Sequence, residues 1–155
     1  MDRVIYEKVE IPLNAKSAFE WFVLENKITT WLCEKATIET KKGGKYELYW
    51  DSKNVKHNNT VGCKINVYDY GKVLGFNWKG SKEFNDIMNY IQPLTQVTIF
   101  FNSLDENKTE IILIHSGWKN SEKWNKAFEW FQLAWREAFM QLIAVIQTKE
   151  KQKFW

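Results

Sequence analysis

The sequence predicts an α+β fold in which a curved antiparallel sheet of about six to seven strands wraps around one long C-terminal helix. Three observations support this prediction. Residues 36–116 carry apolar side chains at alternate positions between turn-forming residues, as in consecutive antiparallel strands. Residues 122–149 carry apolar side chains at helical spacing. Two short amphipathic segments, 15–23 and 25–33, follow the first strand and predict two short helices.

The size and composition indicate one globular domain. A chain of 155 residues predicts a single domain over residues 1–155, in which residues 149–155 form a tail that can fray. Apolar residues make up 45% and charged residues 26%, which are ordinary globular values. The net charge of +3 is too small and too scattered for a nucleic-acid footprint or a polybasic membrane anchor.

The hydropathy pattern predicts neither a membrane-spanning segment nor a signal peptide. The longest apolar run, residues 142–146, is far too short to span a bilayer. The N-terminus alternates charged and apolar residues and so does not resemble a signal peptide. We therefore expect a cytoplasmic protein that binds neither a membrane nor a nucleic acid.

The first third of the chain predicts a strand and a helical corner. Residues 3–11 place apolar side chains on one parity, which indicates a strand with one buried face, and Pro12 ends it. Asn14 stands where the N-cap of a helix over 15–23 belongs. A second short helix follows at 25–33.

The middle of the chain predicts a meander of strands. Residues 37–40 precede Gly43 and Gly44, whose freedom at positive φ suits a tight hairpin. The next strand places Tyr46, Leu48 and Trp50 on one face. Further alternating runs cover residues 61–67, 74–78, 97–101 and 109–116.

The last element predicts a helix that covers the sheet. Ser121 is a candidate N-cap, and Glu122 suits the first turn. No other predicted element is long enough to bury the apolar face of the sheet. The predicted apolar stripe is Trp124, Phe128, Phe131, Trp135, Ala138, Leu142 and Ile146.

Several short motifs, in this order, resemble the helix-grip or START-like (SRPBCC) superfamily. Within it, the chain is most similar to the branch of the activator of heat-shock-protein-90 ATPase homologues, of the C-terminal domain type. The similarity covers nearly the whole chain. The motifs are Trp31, residues 36–39 leading to 43–46, Gly62, residues 74–78, residues 109–118 and Ala134-Trp135.

This resemblance implies a cavity between the sheet and the long helix. Members of the superfamily use it for apolar ligands, for occasional catalysis or for protein contact, so the fold alone does not decide the function. Two features depart from the family pattern. Ala134 stands where members usually have Gly, and the connection 79–94 is longer than expected.

The aromatic side chains predicted to face the cavity are the candidate ligand-binding residues. Such walls suit a small apolar or aromatic molecule, with indole N–H and phenol O–H groups as polar contacts. The alternative is that the rings fill the space themselves. The candidates are Tyr46, Trp50, Phe76, Trp78, Met88, Phe101, His115, Phe131, Trp135 and Phe139.

His115 is the candidate for chemistry, because it is predicted to point inward. It could act as an acid, a base or a ligand partner, or it could simply be hydrogen-bonded to backbone or to a hydroxyl. Ser116 falls on the opposite face of the strand, so the two residues cannot form a local Ser–His relay. The sequence therefore assigns no catalytic residue.

The remaining reactive side chains predict neither a metal nor a cofactor. His57, His115 and the two cysteines match no metal-ligand spacing. Cys33 and Cys63 are expected to be small buried side chains, with a disulfide or a reactive thiol as the alternative.

Two surface features suggest contacts. The connection 79–94 is rich in apolar residues and predicts either a lid over the cavity mouth, with Met88 as an adaptable contact, or a short helix packed on the rim. Ile112 and Ile114, with Phe100, predict an apolar patch on the outer face that suits a homodimer or another partner.

These observations lead to three functional hypotheses. The first is non-catalytic binding of a small hydrophobic or aromatic molecule between the sheet and the C-terminal helix. The second is a protein-interaction module, with chaperone contact like that of the heat-shock-protein-90 activator. The third is a cyclase or lyase type of enzyme that uses His115.

Overall fold

The computed structural model describes residues 2–51, 53–54 and 56–152. The strands in this part of the chain are β1 (Ile5–Ile11), β2 (Lys35–Ile38), β3 (Tyr46–Tyr49), β4 (Ile65–Asp69), β5 (Val73–Trp78), β6 (Thr95–Asp105) and β7 (Lys108–Ser116). The helices are α1 (Ala15–Val23), α2 (Glu25–Ile28), α3 (Asn85–Met88), which follows a 3-10 turn at Lys82–Phe84, and α4 (Glu122–Gln152).

The strands form two antiparallel sheets. The larger has the order β1-β7-β6-β5-β4, and β2 pairs with β3 in the smaller. Two isolated backbone bridges lie between β3 and β4. One pairs Lys45, just before β3, with Lys64, just before β4, and the other pairs Tyr49 with Asn59 in the loop between the two strands. The predicted fold class, an antiparallel sheet with a long C-terminal helix and short helices after the first strand, is confirmed, although the strands are divided between two sheets.

Side-chain caps set the start of two helices where the sequence predicts them. Asn14 Oδ1 accepts a hydrogen bond from the backbone N–H of Ser17 at 2.9 Å, at the start of α1. Ser121 Oγ accepts one from the backbone N–H of Trp124 at 3.1 Å, at the start of α4. Each cap satisfies a backbone donor that the first helical turn leaves free.

The second helix is shorter than predicted. It ends at Ile28, and the chain continues through turns to residue 32. The hydroxyls of Thr29 and Thr30 each donate to a backbone carbonyl of the preceding turn, on Glu25 and Lys27, at 2.6 Å. Two consecutive threonines that bond in this way disfavour helix continuation.

The strand predicted from residue 61 begins later. A turn closed by a hydrogen bond from Cys63 N to Thr60 O precedes it, at 3.0 Å, and β4 starts at Ile65. An irregularity between Ile65 and Val67 shifts the register. Val61 and Val67 therefore lie at the surface, 39% and 41% exposed, because the turn and the bulge interrupt the alternation.

The long helix packs its apolar stripe against the core. The stripe is rotated slightly from the predicted one, because Ala127 and Phe139 are buried, whereas Phe128 and Ala138 are half-buried. The buried stripe consists of Trp124, Ala127, Phe131, Trp135, Phe139, Leu142 and Ile146.

Although α4 is the longest helix of the described residues, neither it nor any other helix there has the apolar span that crossing a bilayer requires.

The predicted tail, residues 149–155, falls partly outside the described residues, and its two terminal aromatic residues, Phe154 and Trp155, lie wholly outside them.

Candidate ligand-binding cleft

A cleft of about 550 Å³ lies between the middle of α4 and the end of β5. We call it the central cleft. One wall comes from the helix, as Trp130, Phe131, Ala134, Trp135, Ala138 and Gln141. The other walls come from the end of β5 and the residues after it, from the chain after α2, and from the loop after β3, and they include Trp31, Leu32, Trp50, Trp78, Gly80 and Ser81.

Indole rings form much of its lining. The Trp78 ring packs against Trp135 at a centroid distance of 5.1 Å and edge-on against Trp50 at 5.5 Å. Trp78 and Trp135 are almost completely buried, whereas Trp50 is 37% exposed. The lining is therefore apolar and rigid at its inner end, where planar rings favour contact with another flat ring.

Most of the indole N–H groups here already have acceptors in the protein. Trp31 Nε1 donates to Trp21 O at 3.0 Å, and Trp50 Nε1 donates to Leu32 O at 2.7 Å. Trp78 Nε1 is buried and has no hydrogen-bond partner among the described residues.

Polar side chains line the outer part of the cleft. Lys79 Nζ donates to Val61 O at 2.6 Å, and Asn58 Oδ1 accepts from the backbone N–H of Lys82 at 2.9 Å. These two bonds connect the loop that follows β3 with the chain that follows β5. Glu137 is exposed on the helical side.

The structure places four of the predicted ligand-binding residues on the cleft wall: Trp50, Trp78, Phe131 and Trp135. They come from three separate elements, since Trp50 follows β3, Trp78 ends β5, and Phe131 and Trp135 lie on α4. At this point the sheet and the helix leave a cleft between these four aromatic side chains.

The other six predicted residues lie in the core and do not line the cleft. Tyr46 stacks on Phe76 at 3.9 Å, and its hydroxyl donates to Phe22 O at 2.7 Å. Phe101 packs against Phe22 with a centroid distance of 5.3 Å. These rings face inward as expected, but they occupy the space that a larger cavity would need.

Phe139 and Met88 also belong to the core. The Phe139 ring lies 6.5 Å from that of Trp31, between the helix and the corner formed by α1 and α2. Met88, at the end of α3, is 1% exposed and packs on Gly80, where an added Cβ would lie 2.6 Å from its sulfur. Met88 therefore holds the connection after β5 in place and does not reach the cleft.

His115 lies behind the cleft wall and is fully buried. Trp135 Nε1 donates to its Nδ1 at 3.0 Å, and its Nε2 lies 2.9 Å from Thr95 Oγ1. Since an indole N–H can only donate, Nδ1 must be the acceptor and Nε2 must carry the proton. Burial lowers the pKa of His115 to about 3, so the ring is neutral and both nitrogens are occupied.

Sequence reasoning missed the residues at the rim. Trp130 is 46% exposed, and Ala134 lies one position before a buried Trp, so neither belongs to the apolar stripe that periodicity identifies. Asn58 lies in a polar loop. The Ala134-Trp135 motif was the one available signal, because a small residue on the helix leaves space beside the sheet.

Metal-ligating side chains do not cluster in the described part of the chain. Within the described ranges, no three His, Cys, Asp or Glu side chains lie close enough together to hold a metal ion. Cys33 and Cys63 are both buried and free.

The sheet, the long helix and the cleft between them define a helix-grip protein. Similar folds occur in protein MLL2253 from Mesorhizobium loti, with a TM-score of 0.73, 15% identity and coverage of 94% of this chain and 98% of that one. SSP2350 from Staphylococcus saprophyticus gives a TM-score of 0.70 and 14% identity, with 94% and 92% coverage. PFC0360w, described as an HSP90 activator from Plasmodium falciparum, gives 0.69 and 21% identity, with 94% and 96% coverage.

The sequence profile of the family described as "Activator of Hsp90 ATPase homolog 1-like protein" matches residues 12–147. The chain therefore belongs to this family. A comparison with curated proteins gives no match.

Proposed function

We propose that the protein binds a small, largely apolar aromatic molecule in the central cleft without transforming it. The main support is the cleft itself, whose volume of about 550 Å³ falls in the range of small-molecule sites and whose inner wall consists of Trp and Phe side chains. We further propose a cytoplasmic location, which rests on the sequence pattern alone.

The state of the polar groups supports binding without chemistry. Both nitrogens of His115 are occupied, and its ring lies behind Trp135. Lys79, at the cleft rim, has its ammonium group on a backbone carbonyl. A general base must reach the proton that it removes. Among the described residues, the cleft lining includes no histidine, and its one carboxylate, Glu137, is exposed.

Titration with the neutral fluorescent probe N-phenyl-1-naphthylamine tests this proposal. We expect saturable binding with one site per chain. Ala134→Phe should abolish it, because Ala134 lines the cleft and a phenyl ring would fill the space. Ala144→Phe is the matched control, since Ala144 is exposed on the same helix and does not line the cleft. Equal binding by both variants would contradict the proposal.

Chaperone contact is a second candidate function. The family description and the description of PFC0360w concern activation of Hsp90. The specific observation is the outer face of the larger sheet, where Ile112 and Ile114 are half-buried beside Tyr6, which is 53% exposed. Such a patch suits a protein partner.

Size-exclusion chromatography with and without purified Hsp90 separates the two functions. A complex that Ile114→Lys disrupts and Ala134→Phe leaves intact would support contact through the outer face. A dimer of this chain alone that Ile114→Lys dissociates would assign the patch to self-association. The absence of both species at micromolar concentration would rule out this candidate.

A further inference from the structure

The buried N–H of Trp78 needs a hydrogen-bond acceptor. The side chain is 3% exposed and lines the central cleft, and its Nε1 has no partner among the described residues. A buried donor without an acceptor has an energetic cost, so such groups are rare in folded proteins. An acceptor from outside the chain would remove this cost.

We propose that the molecule bound in the cleft carries a neutral oxygen acceptor, of the carbonyl or ether type, that accepts a hydrogen bond from Trp78 Nε1. This inference rests on the proposed ligand-binding function and specifies the class of ligand: a flat aromatic compound with one such oxygen at its inner end.

The contrast with neighbouring tryptophans supports this assignment. Trp31 and Trp50 donate to backbone carbonyls, and Trp135 donates to His115. Trp118, which packs behind the cleft, donates to the carbonyl of His115 at 2.9 Å. The fold therefore supplies acceptors to the indoles around Trp78, whereas the buried Trp78 N–H has no acceptor among the described residues.

Trp78 cannot easily turn to find another partner. Its backbone pairs with Thr95 in the sheet, and its carbonyl accepts a hydrogen bond from Thr95 Oγ1 at 3.3 Å. The ring is held between Trp50 and Trp135. The nitrogen itself has almost no accessible surface, so the side chains that cover it must move slightly apart for a ligand oxygen at the inner end of the cleft to reach it.

A bound water is a poorer partner than a ligand oxygen at this place. A buried water typically makes two to four hydrogen bonds. The rings around Trp78 are those of Trp50, Phe76, Trp135 and His115, and the two nitrogens of His115 are already occupied. A carbonyl or ether oxygen on an aromatic molecule needs only one donor, while its rings contact the apolar walls. A charged acceptor would lose its hydration on entering this apolar site.

A matched pair of probes, 9-fluorenone and fluorene, tests the inference. The two have the same ring system and differ in one carbonyl oxygen. We expect fluorenone to bind at least about fivefold more tightly, which is the size of one net hydrogen bond. Trp78→Phe should remove the preference, whereas Trp118→Phe, a buried tryptophan outside the cleft, should keep it.

Nuclear magnetic resonance of the wild-type indole N–H groups gives a readout that does not depend on a variant folding. Fluorenone should shift the Trp78 Nε1–H resonance downfield, and fluorene should not. Equal affinity for both probes without such a shift would overturn the acceptor inference and leave the proposed binding function intact. If neither probe binds, the proposed function itself fails.

Discussion

The indole N–H of Trp135 donates to Nδ1 of His115 at 3.0 Å, which joins the middle of α4 to the end of β7. This bond fixes the tautomer of the histidine, so that Nε2–H faces Thr95 Oγ1, whose own hydroxyl donates to the carbonyl of Trp78. A continuous chain of hydrogen bonds therefore runs from the helix through β7 and β6 to β5, directly behind the cleft. It holds two aromatic walls of the cleft at a fixed separation.

Loss of the Trp135 donor should destabilise the protein. Trp135→Phe keeps an aromatic ring but leaves His115 Nδ1 without its donor, which is expected to cost about 1–3 kcal/mol in the free energy of unfolding. Urea denaturation followed by circular dichroism measures the loss. Trp130→Phe is the control, because Trp130 is 46% exposed, and it should change the free energy by about 0.5 kcal/mol or less. Equal losses in the two variants would argue against a special role for the bond.

His115 should make stability depend on pH below neutrality. Its pKa is about 3 in the folded state, against about 6.5 in the unfolded chain, so the unfolded state binds the extra proton between these values. Its stabilising contribution is therefore complete above pH 6.5 and is lost progressively as the pH falls toward 3. Between pH 6.5 and pH 5 we expect a loss of about 2 kcal/mol from this group.

Urea unfolding at several pH values tests the assignment. His115→Gln should flatten the profile between pH 5 and 7, because glutamine does not titrate. His57→Gln, which removes the histidine of the loop after β3, serves as the matched control. If His57→Gln flattened the profile and His115→Gln did not, the assignment would be wrong.

Both cysteines should resist modification in the folded protein. Burial raises the pKa of Cys33 and of Cys63 to about 12. At pH 8 the thiolate fraction should therefore be on the order of a thousandfold below that of a free thiol. Reaction with Ellman's reagent should be slow in buffer and complete in urea. Rapid reaction of either thiol in native protein would contradict this description of the two sites.

Removal of the Asn89 side chain should loosen the segment that follows β5. Asn89 Oδ1 accepts from Gly80 N at 2.6 Å, and its Nδ2 donates to Gly80 O at 3.1 Å, which closes the segment on itself. Asn89→Ala should increase trypsin cleavage after Lys82, because both bonds are lost. Gln92→Ala, an exposed residue of the same segment, is the control and should be cleaved like the wild type.

The same digestion tests the lid hypothesis for residues 79–94. Phe84 and Met88 are buried, while Tyr90 is 74% exposed. A bound probe such as fluorenone should protect Lys82 if the segment closes over the ligand. Identical cleavage with and without the probe would favour a segment that is permanently packed on the rim.

Much of the fold could be predicted because local patterns and tertiary packing agree. Asn14 and Ser121 occupy cap positions, and alternation identifies β5, β6 and β7. The end of α2 and the start of β4 were wrong by several residues. At these two places the hydrogen bonds of the threonine hydroxyls and the turn at Thr60 interrupt the helix and the strand. The spacing of apolar residues does not show such interruptions.

The sequence by itself determined the fold class, the inward direction of Trp135 and His115, and the family. Only the tertiary structure decided which inward rings line a cavity and which fill the core, because that depends on distances between distant segments. Tyr46 and Phe76 stack closely in the core, whereas Ala134 and Trp78 both line the cleft. The unpartnered N–H of Trp78 is likewise a property of packing, since hydrogen-bond partners far apart in the chain meet only after folding.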